Sequence, residues 1–133
     1  MSSEQMNKAR RILLKISGEA LSGEGGFGID PQVLSNTAKA IRNVQNQGVQ
    51  TVLVIGGGNI FRGAALQKAG FDRVAGDQMG MLATIMNGLA MREELKAQGG
   101  HCVHMSAYGI PSMTTEYSAT LGRELLDQGH SLI

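Results

Sequence analysis

Two short apolar runs decide what this chain can fold into. Arg11–Ser17 (RILLKIS) and Val49–Ile55 (VQTVLVI) have few polar interruptions, and each stops abruptly in small residues. Runs of this kind suit strands of a parallel sheet covered on both faces. Between them, Asp30-Pro31 provides a helix cap followed by proline at the first helical position. Leu34, Ala38, Ile41 and Val44 then recur at helical spacing, and Gly48 is a fitting stop. A helical stretch is expected to start near Gly56–Asn59 and run toward Gly70. Arg73–Gln98 reads as one long helix, with Ala75, Met79, Leu82, Met86 and Leu89 as a continuous stripe. Met81 and Ile85 add a second strip, so this helix is either deep in the core or shared with a partner subunit. Gly99-Gly100 ends it, and His101–Met105 reads as a third strand. Tyr117, Leu121 and Leu125 mark a last helix closed by Gly129, and His130–Ile133 opens a fourth strand. The alternation predicts an α/β fold with a mainly parallel sheet.

Composition narrows the function classes. A chain of 133 residues is one domain at most, and 42% hydrophobic residues exclude disorder as its main state. Lys+Arg 12 against Asp+Glu 11 leaves a net charge of +1, which gives no basic field for nucleic acid. The single cysteine, Cys102, excludes an intrachain disulfide and suits a reducing compartment. The apolar run around Thr51–Ile55 is far too short to span a membrane. Met1–Arg11 is polar, with no apolar h-region, so a cytoplasmic location is expected. Ser131-Leu132-Ile133 reads as the opening of a buried strand, so the chain is expected to be a fragment of a longer protein.

Ligands of open parallel sheets bind beyond the carboxyl ends of the strands. The first run ends Lys15-Ile16-Ser17-Gly18 and the second Gly56-Gly57-Gly58-Asn59. Three residues without Cβ let backbone N–H groups face a ligand, and a following helix N-terminus favours anions. Arg62 adds a planar fork suited to phosphate oxygens. The competing reading is a tight turn with close helix–sheet packing; the triple glycine followed by Arg62 favours phosphate. Lys15 inside an apolar run is expensive unless it meets an anion or snorkels to the sheet edge.

Other matches weaken on inspection. Gly23-Glu24-Gly25-Gly26-Phe27-Gly28 fits G-x-G-x-x-G, but no Asp or Glu between Pro31 and Phe71 could hold a dinucleotide ribose. No H-R-D or D-F-G follows, which excludes a protein kinase, and the segment reads as a surface loop. Asp77 near a helix start is stabilised by the helix dipole; its functional reading is a carboxylate accepting from sugar hydroxyls. His101, Cys102 and His104 would alternate across a strand, so they are not expected to share a metal.

Taken together, several segments resemble the bacterial uridylate (UMP) kinases, within the wider amino-acid kinase family. They are Lys15–Leu21, Gly26–Asp30, Val54–Gly63, Asp77–Thr84, Met86–Ala90 and Met105–Ala107. The resemblance implies a three-layer α/β/α sandwich and transfer of a phosphoryl group from ATP to UMP, with Mg²⁺. It implies that residues 1–133 are the N-terminal, acceptor-side portion of one domain, with the ATP-binding portion beyond them. By resemblance, Lys15, Ile16, Ser17, Gly18, Gly58 and Arg62 would bind ATP, with Lys15 catalytic. Gly57 and Asp77 would bind UMP. The loop Gly23, Glu24, Gly25, Gly26, Phe27, Gly28 would answer to GTP as activator, with UTP as inhibitor, in a hexamer built on the long helix. The alternatives are a family member phosphorylating a carboxylate or carbamate, and a non-catalytic nucleotide-binding fragment.

Overall fold

The computed structural model describes residues 11–133. The polar segment before Arg11, read above for secretion, lies outside the described residues. Strand β1 (Arg11–Ile16) leads through a short 3₁₀ turn (Gly18–Leu21) and the glycine-rich loop to helix α1 (Pro31–Gln45). Strand β2 (Gln50–Ile55), helix α2 (Ala64–Lys68) and the long helix α3 (Arg73–Ala97) follow. Next come β3 (Cys102–Val103), β4 (Met105–Ser106), β5 (Thr115–Glu116), helix α4 (Ala119–Asp127) and β6 (Ser131–Leu132). No helix among the described residues is long and apolar enough to cross a membrane.

The main sheet is parallel, in the order β1-β2-β6-β3, so the last strand inserts between the second and third. β1 and β2 pair in register from Arg11 opposite Gln50 to Ile16 opposite Ile55. Their two small-residue ends therefore finish side by side. Alternation puts Ile16, Leu53 and Ile55 on one face, where they pack with Ala38 and Ile41 of α1 and Met91 and Leu95 of α3. Leu132 pairs with Val52 on the opposite face, where Gly122 of α4 lies against it. The Gln50 amide also donates to the Leu126 carbonyl of α4. Helices thus cover both faces of the sheet, as the three-layer expectation requires.

Local chemistry explains the element ends. The Asp30 carboxylate accepts from the Gln32 and Val33 amides at 2.9 and 3.1 Å, capping α1. Ser118 caps α4 in the same way.

Four expectations are corrected. β1 is not covered on both faces: Leu13 is 69% and Leu14 41% exposed, because β1 is an edge strand and α4 packs on β6. No helix starts at the triple glycine; Gly56–Gly63 is turn, and α2 begins at Ala64. The third strand is divided, Cys102–Val103 joining the main sheet while Met105–Ser106 pairs with Thr115–Glu116 in a separate parallel ribbon. On α3 the continuous stripe is not the buried face. Its Met79, Leu82 and Met86 are exposed, whereas Gly76, Ala83, Ile85, Asn87, Gly88, Met91 and Leu95 are buried. Met81, on the second strip, lines a cavity.

His104, at the crossing from β3 to β4, is buried against Gly88 so closely that a Cβ there would overlap the imidazole. Gly88→Ala is expected to destabilise the fold, because overpacking costs roughly 1–3 kcal/mol and outweighs the helix gain of roughly 0.5–1 kcal/mol. In a His104→Ala background the same change is expected to stabilise. Thermal unfolding of the wild type and the three variants measures this reversal of sign.

Candidate functional site

The parallel register of β1 and β2 builds the site. The Gly56 amide donates to the Ile16 carbonyl at 2.9 Å, which ties the two strand ends together. A Cβ on Gly18 would stand 2.7 Å from the Gly58 nitrogen and 2.5 Å from Asn59 Oδ1. A Cβ on Gly57 would stand 2.8 Å from the Ala83 Cβ and 3.0 Å from the Thr84 nitrogen of α3. Glycine is thus required at 18 and 57 for close approach of backbones. The packing reading of the triple glycine holds, and the same packing leaves backbone amides at the strand ends.

Two buried amides fix this turn. Asn59 and Asn87 are 1% and 0% exposed and bond to each other through both side chains, at 3.2 and 2.7 Å. The remaining Asn59 N–H donates to the Gly28 carbonyl at 2.8 Å, and that of Asn87 to the Gly56 carbonyl at 2.7 Å. Gly28 in turn donates its amide to the Asn59 carbonyl at 2.7 Å. Sequence reading missed Asn87 as a positioning residue. Its only signal was an amide set among apolar helix positions.

Arg62 folds back over the turn. Its Nε donates to the Gly58 carbonyl at 3.2 Å, and its Nη2 pairs with the Glu19 carboxylate. Glu19 lies so close over Gly58 that a Cβ there would overlap its carboxylate. Ser17, Gly18, Gly58 and Arg62 therefore form one corner, to which the sequence reading had not assigned Glu19. Lys15 lies on β1 with an exposed side chain and makes no hydrogen bond or ion pair among the described residues. It pairs with Val54 and stands on the face opposite the buried Ile16.

Beside the corner lies a cavity of about 400 Å³. Ile55 and Ile133 at the strand ends, Met81, Thr84 and Ile85 of α3, and His104 line much of it. Gly57 rests on α3 at Ala83 and Thr84, so the polar corner and the apolar cavity share a wall. A volume in this range suits a small organic ligand. Asp77 is exposed and pairs with Arg73 at 3.8 Å along the helix. It does not line the cavity, but stands one turn before Met81 on the same helix face. The Gly23–Gly28 loop is on the surface, with Phe27 77% exposed, and Gly26 and Gly28 adopt positive φ of 67° and 74°.

Among the described residues no group of three or more His, Cys, Asp or Glu converges as a metal site would require. The Cys102 thiol is pushed up to about 11 by burial, with Ser131 and Arg92 acting in the opposite sense. It stays protonated and unreactive at neutral pH.

The sequence and the fold match known proteins. The amino acid kinase family profile matches residues 10–133. The chain belongs to the amino acid kinase family. A uridylate kinase of Saccharophagus degradans is 53% identical over 126 residues, covering 95% of this chain and 51% of that protein. The crystal structure of a UMP kinase from Ureaplasma parvum superposes with a TM-score of 0.86 at 31% identity, covering 95% of this chain and 53% of that one. The UMP kinase structure from Bacillus anthracis gives 0.87 at 33% identity, covering 93% and 51%. The chain spans about half the length of these relatives. An α/β fold with a parallel sheet is therefore shared with them.

Two outcomes follow. Asn87→Ala would leave the Gly56 carbonyl and half of the Asn59 amide unpaired in a buried site, and is expected to cost roughly 2–4 kcal/mol. Urea unfolding measures it, with exposed Asn36→Ala changing stability by less than about 0.5 kcal/mol as reference. The second concerns pH. Burial, and then the Arg92 charge, hold the His104 imidazole below its usual 6.5. The unfolded chain therefore takes up this proton first as pH falls. Stability is expected to decline below pH 6.5, and the decline should be smaller in His104→Leu.

Proposed function

We propose that residues 1–133 form the acceptor-side portion of a nucleoside monophosphate kinase domain, in a protein that transfers a phosphoryl group from ATP to UMP, giving UDP and ADP. One observation carries this reading: a corner of glycine amides and Arg62 shares a wall with an apolar cavity of about 400 Å³. A nucleoside monophosphate has the same two parts, a charged phosphate and a flat, largely apolar base. The names of the relatives supply the uridine and the kinase chemistry.

In this reading Lys15, Ile16, Ser17, Gly18 and Gly58 hold the ATP phosphates. Gly57 and Asp77 hold UMP, with Asp77 accepting from the ribose hydroxyls at the cavity mouth. Arg62 binds phosphate where donor and acceptor meet. Phosphoryl transfer needs alignment and charge neutralisation more than covalent help. Lys15 and Arg62 supply positive charge that backbone amides complement. An ionised acceptor phosphate needs no general base. Mg²⁺ arriving with ATP would add further neutralisation. The adenine side of the site belongs to the portion of the relatives that this chain does not span.

Regulation and assembly belong to the same reading. The exposed Gly23–Gly28 loop is the place for GTP activation, with UTP as inhibitor. The exposed strip Val74, Met79, Leu82 and Met86 on α3 is the surface for a hexamer. A lone cysteine fits the cytoplasm.

The test is an ADP-release assay on the protein at the length of its relatives, with UMP and with carbamate as acceptors. UMP is expected to be the substrate. Lys15→Ala is expected to lower turnover by roughly 10²–10³, whereas Asp77→Asn raises the KM for UMP and leaves ATP kinetics in place. Turnover with carbamate alone would replace this reading with the second family chemistry. Residues 1–133 by themselves are expected to bind UMP without useful turnover.

A further inference from the structure

We infer that Glu19 is an internal anion that occupies the phosphate arm of the site, so that an incoming phosphate must displace it from Arg62. The inference rests on the reading that the Gly18–Gly58–Arg62 corner takes phosphate, and it adds a residue to which that reading gives no such part.

The geometry is specific. Glu19 follows directly on Gly18, in the 3₁₀ turn that leaves the end of β1. Its carboxylate lies over Gly58, where only the absence of a Cβ leaves room, and pairs with Arg62 Nη2. The Arg62 Nε is held by the Gly58 carbonyl at 3.2 Å. A carboxylate therefore stands against both the glycine and the guanidinium that suit a phosphate. Carboxylate and phosphate oxygens both accept from the planar fork of arginine, and they compete for the same N–H groups. A carboxylate left there would also repel an arriving phosphate.

The pair is built to open. The Arg62 and Glu19 side chains are 69% and 46% exposed, so the contact is screened and adds little to stability. Its effect is instead on where the guanidinium rests before ligand arrives. Glu19 keeps Arg62 folded over the turn, and the bond of Nε to Gly58 keeps the arm in place when the carboxylate leaves. Phosphate binding then exchanges one anion for another at an arm that is already positioned.

Calorimetric titration of UMP and of uridine into the full chain tests this with wild type, Glu19→Gln, Arg62→Ala and the double variant. Glu19→Gln is expected to tighten UMP by about 2–5-fold, the range of an exposed ion pair, and to leave uridine unchanged. Arg62→Ala is expected to weaken UMP by at least about 10-fold. The double variant should match Arg62→Ala, because the gain from Glu19→Gln exists only through Arg62. Unchanged or weaker UMP binding in Glu19→Gln would overturn the inference; a weakening as large as that of Arg62→Ala would make Glu19 a support of the arm. Equal shifts for UMP and uridine would overturn it too, since the effect would not pass through phosphate. If Arg62→Ala leaves UMP affinity intact, Arg62 does not meet the acceptor phosphate, and the inference falls with that part of the reading, whatever Glu19→Gln does. Matching unfolding temperatures establish that each variant is folded.

Discussion

Four N–H groups on two buried side chains hold together three segments that meet at the carboxyl end of β2. Asn59 and Asn87 each give one N–H to the other and one to backbone, at Gly28 and Gly56 respectively. The glycine loop before α1, the turn after β2 and the middle of α3 are therefore one hydrogen-bonded unit. Such a network is stiff only when every member is satisfied, and here each amide uses both of its donors. The position of Gly57 against α3, and hence the wall between corner and cavity, follows from this unit.

The parts of this fold legible in the sequence were those governed by local chemistry. Asp30, Pro31 and Gly48 bound α1 where the cap rules put them, because a cap is a contact between residues two or three apart. The two apolar runs were strands, and their parallel register brings the two small-residue ends side by side. The role of Asn87 was out of reach, since its partners Gly56 and Asn59 are 31 and 28 residues away. Glu19 was closer to hand, immediately after Gly18, but nothing local says that it meets a guanidinium 43 residues on.

The long helix shows why periodicity finds a stripe without saying which way it faces. Met79, Leu82 and Met86 gave the clearest apolar repeat, and they are the exposed side. The buried side combines Ile85, Met91 and Leu95 with Ala83, Asn87 and Gly88, small or polar residues that score poorly as core. Ala83 and Gly88 are small because the turn after β2 and the imidazole of His104 come too close for anything larger. Close packing selects for smallness, and hydrophobicity alone does not register it. Met79, Leu82 and Met86 are left on the opposite face, where a partner surface could cover them.

The same tension runs through the glycines of the site. A glycine-rich turn can serve a ligand, by baring its amides, or the fold, by admitting a neighbour. At Gly57 the second demand is explicit, since α3 fills the space a Cβ would need. At Gly58 the intruder is a carboxylate, a polar group held by an exposed ion pair that water or another anion can replace. A backbone neighbour cannot leave without unfolding the turn, but a surface carboxylate can. Adjacent residues of one motif thus divide the work. Gly57 fixes the frame through packing, and Gly58 keeps open a place whose occupant is exchangeable.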